Sequence, residues 1–138
     1  MGQRRAITGL VAWVVALSTI GVVVVQDATA QETSPKDAQG YVNRGIAYLN
    51  KGGNNRAIAD FTQAIKLDPK NAQAYSNRGI AYAYKGDNDR TIGNFNQTIK
   101  LNPKDAQAYI NRGIAYAYKG DNDRAIGDFT IDLTAQAR

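Results

Sequence analysis

The feature that most constrains this chain is an interval. NRGIAYAYKGDNDR occupies residues 77–90 and recurs unchanged at 111–124, while a looser copy, NRGIAYLNKGGNNR, occupies 43–56. Each copy stands 34 residues from the next. A unit repeated at that period cannot bury its own apolar face, so copies must stack on one another to make a continuous core. At 138 residues the chain has room for one such stack as a single domain.

In register the copies run 38–71, 72–105 and 106–138. Each predicts two helices joined by a glycine turn. In the middle copy the first is AQAYSNRGIAYAYK, where Ala74, Tyr75, Arg78, Ala81 and Tyr82 recur at helical spacing. Gly86 suits a left-handed C-cap, and the Asp87 carboxylate suits the N-cap of the next helix. That second helix, NDRTIGNFNQTIKL, carries Ile92, Phe95 and Ile99 on one face and stops before Pro103.

Small and large residues keep fixed places. Gly45, Gly79 and Gly113 lie inside the first helices, where glycine costs about 1 kcal/mol against alanine. A cost repeated in every copy is explained if the second helix must approach the backbone there. Ala47, Ala81 and Ala115 extend the small face, and Phe61, Phe95 and Phe129 are the large residues that fill the gap.

At these positions the chain resembles the tetratricopeptide repeat family. Tyr41, Gly45, Tyr48, Ala57, Phe61 and Pro69 match its pattern in the first copy. Tyr75, Gly79, Tyr82, Phe95 and Pro103 match in the second, with Thr91 at the alanine place, and Tyr109, Gly113, Tyr116, Ala125 and Phe129 in the third. The resemblance covers residues 38 to about 130 and implies an all-α fold: an α-solenoid of three stacked antiparallel helix pairs.

Two departures stand out. Arg44, Arg78 and Arg112 replace the family's leucine before the glycine, and 16 residues after each stands Asp60, Asn94 or Asp128. This spacing suggests pairing between the two helices of a copy, the alternative being an exposed arginine of no consequence. The third copy also ends in IDLTAQAR instead of a further polar segment. Ile126, Phe129 and Leu133 keep a helical face, so a last helix with an exposed apolar side is expected. Self-association, a partner or nothing would cap it.

The family's geometry implies that first helices line a concave groove. Its residues would be Gln39, Val42, Asn43, Ile46, Leu49 and Asn50, then Gln73, Ser76, Asn77, Ile80, Ala83 and Tyr84. The third copy would add Gln107, Ile110, Asn111, Ile114, Ala117 and Tyr118. An asparagine ladder (Asn43, Asn77, Asn111) then runs beside an isoleucine ladder (Ile46, Ile80, Ile114), with Asn50 and the rim residues Tyr84 and Tyr118. Amides of this kind bond a peptide backbone, and the apolar groups take side chains. Recent duplication of one unit explains the identical letters and leaves the groove in place. A subgroup of the family clamps the carboxylate of chaperone tails. Of its five positions only the asparagine at Asn77 is matched; Val42, Ile46, Gln107 and Asn111 stand at the others, which argues against that ligand.

The first thirty residues are of another kind. Arg4 and Arg5 precede an apolar run from Ala6 to Val25, and Ala28-Thr29-Ala30 follows. These are the parts of a secretory signal peptide with cleavage after Ala30, leaving Gln31 first. The competing reading is an uncleaved anchor, since the run is long enough to span a bilayer; only then would the protein contact a membrane. Either reading places the repeats outside the cytoplasm, in the bacterial periplasm or beyond, or tethered to the inner membrane. Residues 31–37 read as a polar linker, although SPKDAQG also echoes NPKDAQA at 102–108.

Chemistry has little to work with. There is no cysteine or histidine, and no phosphate-cradling or nucleophile-elbow motif. The pairs Asp87/Asp89 and Asp121/Asp123 fail a calcium loop and read as helix caps. A net charge of +5 comes from singly scattered bases, which does not suggest nucleic acid. No catalytic residue, metal or cofactor is expected. The expected function is protein–protein interaction by an exported adaptor that binds a peptide or helix. The alternatives are a membrane-anchored scaffold and a truncated repeat-family member without a settled role.

Overall fold

The computed structural model describes residues 34–136, with side chains described through residue 131. The expected leader, with the expected cleavage residues Ala28, Ala30 and Gln31, and the alternative anchor at 6–25 lie outside the described residues. No helix among those described is long and apolar enough to cross a membrane.

From Pro35 onward the chain forms one compact unit. Six helices follow one another: α1 Ala38–Asn50, α2 Asn54–Leu67, α3 Ala72–Tyr84, α4 Asn88–Leu101, α5 Ala106–Tyr118 and α6 Asn122–Gln136. They form three units of two helices each, and there is no strand among the described residues.

The punctuation is local chemistry. Gly52, Gly86 and Gly120 sit at φ +77°, +74° and +79°, the left-handed region that ends a helix at little cost only for glycine. At the start of α4 the Asp87 carboxylate accepts the Arg90 N–H at 3.0 Å; Asn71 and Asp105 cap α3 and α5 in the same way. Unlike these, α2 begins at Gly53 with no side-chain cap.

Each first helix packs on the second helix of its own pair through the glycine. A Cβ built on Gly45 would lie 2.5 Å from Phe61 Cε1, and one on Gly113 would lie 2.7 Å from Phe129 Cε1. At Gly79 the nearest atom, Phe95 Cε2, is 3.1 Å away. The phenyl ring therefore occupies the space where a side chain would have grown from the facing helix. Phe61 and Phe95 are fully buried, and Phe129 is half-buried.

Pairs stack by seating the next first helix on the previous second helix, α3 on α2 and α5 on α4. Ala81 joins Ala57 and Phe61 in one buried cluster, while Val42, Ala64 and Ala74 make another. Ala81 and Ala115 are buried as their small size suggests, whereas Ala47, in register with them, is exposed. First helices also touch each other (α1 with α3, α3 with α5), but second helices make no mutual contact among the described residues. Helices that lie closer together form the inner side of a curve, so α1, α3 and α5 line the concave face.

Candidate functional site

The face of each first helix turned toward its neighbours is where charge is consumed. Arg44 donates through Nε and Nη2 to the two carboxylate oxygens of Asp60, both at 2.8 Å. Arg112 makes the same fork to Asp128, at 2.8 and 2.6 Å. Asp60 and Asp128 are 5% and 4% exposed, so these are bidentate bonds to nearly buried carboxylates, the geometry that suits a guanidinium best. The bond to the carboxylate is what raises Arg44 and Arg112 above the ordinary arginine value.

The middle pair differs by one atom type. Arg78 donates to the Asn94 amide oxygen at 2.8 Å and, with Nη1, to Thr62 Oγ1 of the preceding helix at 3.1 Å. With no carboxylate opposite, burial lowers its pKa. Arg112 likewise reaches back, its Nη1 to Asn96 Oδ1 at 2.8 Å. The sequence suggested the forward pairing at 16 residues; the backward reach, also 16 residues, was missed because it joins two copies and shows only once they are stacked.

Two further arginines are also engaged. Arg90 and Arg124 bond Asp87 and Asp121 across the first turns of α4 and α6. They lie over the rings of Tyr82 and Tyr116, 4.6 and 4.4 Å from the centroids. The backbone N–H of Arg90 and its guanidinium together hold Asp87 below the ordinary carboxylate range. For Asp121 the guanidinium of Arg124 leads, followed by its N–H. Among the described residues no group of acidic side chains is placed to hold a metal ion.

The opposite face of α1, α3 and α5 is open. Between α1 and α3 lies a cleft of about 550 Å³, and between α3 and α5 a second of about 390 Å³. The first takes Ile46, Asn50, Asn77, Ile80 and Tyr84 from the expected groove, and the second takes Ile80, Tyr84, Asn111 and Ile114. Ile80 and Tyr84 belong to both, so the clefts are continuous along the face of α3. Neither lining includes a lysine or arginine.

Seven of the nine principal groove residues thus come together, and two do not line a cleft. Asn43 lies at the open end, accepting from Gln39 Nε2 at 3.0 Å. Asn111 accepts from Gln107 in the same way at 3.1 Å, but inside the second cleft. Tyr118 is 78% exposed at the far rim. Val42 is a correction: it does not face the groove but is fully buried against Ala64 and Ala74, because the next pair closes over it. Ala72, Asn102 and Asp105 in the first cleft and Phe95 in the second escaped notice. Ala72 begins α3, Asn102 and Asp105 end α4 and cap α5, and Phe95 reads as a gap-filling residue between helices.

The architecture is that of an α-solenoid built from helix pairs. A TPR repeat family model matches residues 47–86, and a model described as Tetratricopeptide repeat matches residues 77–131. The chain belongs to the tetratricopeptide repeat family.

Among solved structures the chain is similar to MamA, at 31% identity and a TM-score of 0.72 over 73% of this chain. It spans 59% of that MamA chain, less than two thirds. It is also similar to the second TPR of Spaghetti (RPAP3) bound to the HSP90 peptide SRMEEVD. There the identity is 28% and the TM-score 0.70, over 72% of this chain and 93% of that one. The TPR2B domain of yeast Sti1, in a complex with pHsp70, matches at 27% identity and a TM-score of 0.70, over 72% and 80%. No curated protein sequence matches.

Proposed function

We propose that this protein is an exported interaction module that binds a neutral, partly apolar peptide in extended form along the groove of α1, α3 and α5. The observation that carries the reading is the composition of the two joined clefts: isoleucines and a tyrosine on their walls, asparagine amides beside them, and no cation. The similar second TPR of Spaghetti (RPAP3) is bound to an HSP90 peptide, which supports a peptide as the class of ligand. An acidic peptide such as SRMEEVD fits poorly here, since Arg44, Arg78 and Arg112 are spent between helices, no lysine or arginine lines the clefts, and Asp105 stands in the first cleft.

Export rests on Arg4, Arg5, the apolar run and Ala28-Thr29-Ala30. A protein that starts at Gln31 works free in the periplasm or outside the cell. One that keeps residues 6–25 is a scaffold on the membrane, and the groove serves either. Intact mass in soluble and membrane fractions separates the two, and Trp13 is the only tryptophan, so the cleaved form lacks its emission.

The ligand class is tested by selecting displayed heptapeptides on the full chain. The reading expects enriched sequences with two or more apolar residues and little net charge, all lost with Ile80→Glu. Enrichment of acidic peptides, or binding that survives Ile80→Glu, would count against it.

A further inference from the structure

The joints between pairs are built from a short set of side chains, and the set recurs at both ends of the stack. At each internal joint a first helix brings NRGIAY (residues 77–82 or 111–116) and a following lysine onto a second helix. Its alanine is buried there, its arginine Nη1 reaches back to Thr62 or Asn96, and its lysine closes the rim. Lys85 bonds Asn55 at 2.7 Å, and Lys119 pairs with Asp89.

The outer side of α1 carries the same set: NRGIAY at 43–48, then Lys51, with Ala47 exposed. The outer side of α6 carries the receiving set. NDRAIGDFT at 122–130 repeats NNRAIADFT at 54–62, the surface that α3 covers, with two changes. Ile126 there is 62% exposed, while its register mates Ile58 and Ile92 are half-buried under the next pair. Thr130 donates to the Ile126 carbonyl at 2.7 Å just as Thr62 does to that of Ile58, which leaves the hydroxyl oxygen to accept a guanidinium as Thr62 does. The acidic Asp123 stands at the register of Asn55 and Asp89, opposite where a lysine arrives.

We propose that copies of this chain stack head to tail, α1 of one copy seating on α6 of the next through the contacts that α3 makes with α2 and α5 with α4. Ala47 then covers the Ala125 and Phe129 region, Arg44 Nη1 bonds Thr130, and Lys51 pairs with Asp123. The contact is heterologous, so it propagates and does not close into a dimer. The contact joins separate molecules, so it depends on concentration. Its key contacts, at Arg44, Ala47, Lys51, Asp123 and Ile126, line neither cleft, so it stands or falls independently of the ligand.

The chain has no cysteine, so introduced thiols report alone. Full-length Lys51→Cys/Asp123→Cys chain, in the buffer or detergent in which it is recovered, is treated with a short bismaleimide at rising protein concentration. The expected result is a ladder of dimer, trimer and longer species. The two single variants should link to one another when mixed and not to themselves. Adding Ile126→Glu should abolish the ladder without moving the melting temperature, since that side chain is mostly in solvent. A double variant that stays monomeric throughout overturns the proposal, as do single variants that self-link equally well or a ladder that survives Ile126→Glu.

Discussion

The two faces of α1, α3 and α5 are built from the same helices and share almost nothing. On the face turned to α2, α4 and α6, glycine and alanine let rings and backbone meet, and Arg44, Arg78 and Arg112 are all bonded across helices. On the concave face, asparagine, isoleucine and tyrosine stand open, with no cation lining the clefts. Where charge is tied up between helices it is no longer offered to a ligand. These half-buried, bonded arginines are thus part of the reason for a neutral groove in a chain of net charge +5. A clean division of labour follows: substitutions between helices should change stability, and substitutions in the groove should change binding.

The sharpest contrast is Phe95→Ala against Asn77→Ala. Removing the fully buried ring should cost about 3–5 kcal/mol of unfolding free energy by urea titration. Asn77→Ala should stay within about 0.5 kcal/mol yet weaken a selected peptide about tenfold. Comparable stability losses from both would erase the distinction between faces.

Next is Asp128→Ala, which leaves the Arg112 guanidinium half-buried with no carboxylate, only Asn96 and the rings of Tyr109 and Tyr116, to meet it. The cost should be about 3 kcal/mol, at the lower end for a broken buried pair because Arg112 keeps some solvent contact. A loss of a few tenths would return the arginine to the rank of an idle surface charge.

The glycines offer an internal comparison. Gly45→Ala drives a methyl to within 2.5 Å of Phe61, and Gly79→Ala only to 3.1 Å of Phe95. Overpacking at Gly45 should cost about 1–3 kcal/mol. At Gly79 the gain in helix propensity, about 1 kcal/mol, offsets most of the strain. Equal melting temperatures for the two variants would contradict the ring-in-gap account.

Asn94→Asp recreates in the middle pair the fork of its neighbours and should stabilise by about 1 kcal/mol, the gain of a charge-assisted bond over the cost of burying the carboxylate. Destabilisation would show that burial outweighs the bond there.

The smallest effect is at the caps. The folded-state pKa of Asp87 is depressed, so its ionised form contributes stability above its unfolded value, about 3.9, and that contribution is lost as pH falls through the lower folded value. Melting curves of the parent and Asp87→Asn should therefore differ slightly at pH 7 and converge in strong acid. A gap that widens on acidification would reverse the sign.

Much of this was legible because a 34-residue period fixes register, and register fixes which residues meet. The second helix of the middle pair was expected at 88–101 and is found at Asn88–Leu101; the partners of Gly45, Gly79 and Gly113 were also read correctly. What escaped depends on contact between copies. Val42 looks like a groove residue on its own helix and is buried only because α3 closes over it. Thr62 and Asn96 look like solvent positions until the next arginine arrives. Asn102 and Asp105 end one helix and cap another, and only the curvature of the stack brings them to the cleft.

The central claim is that the concave face is the binding face, and side-chain NMR of the full, isotope-labelled chain tests it most directly. On adding a selected neutral peptide, the amide signals of Asn77 and Asn111 and the methyls of Ile46, Ile80 and Ile114 should shift together, while Asn96 and the methyls of Thr62 and Thr98 stay in place. Shifts centred on α2 and α4, with the asparagine and isoleucine ladders unmoved, would contradict the account.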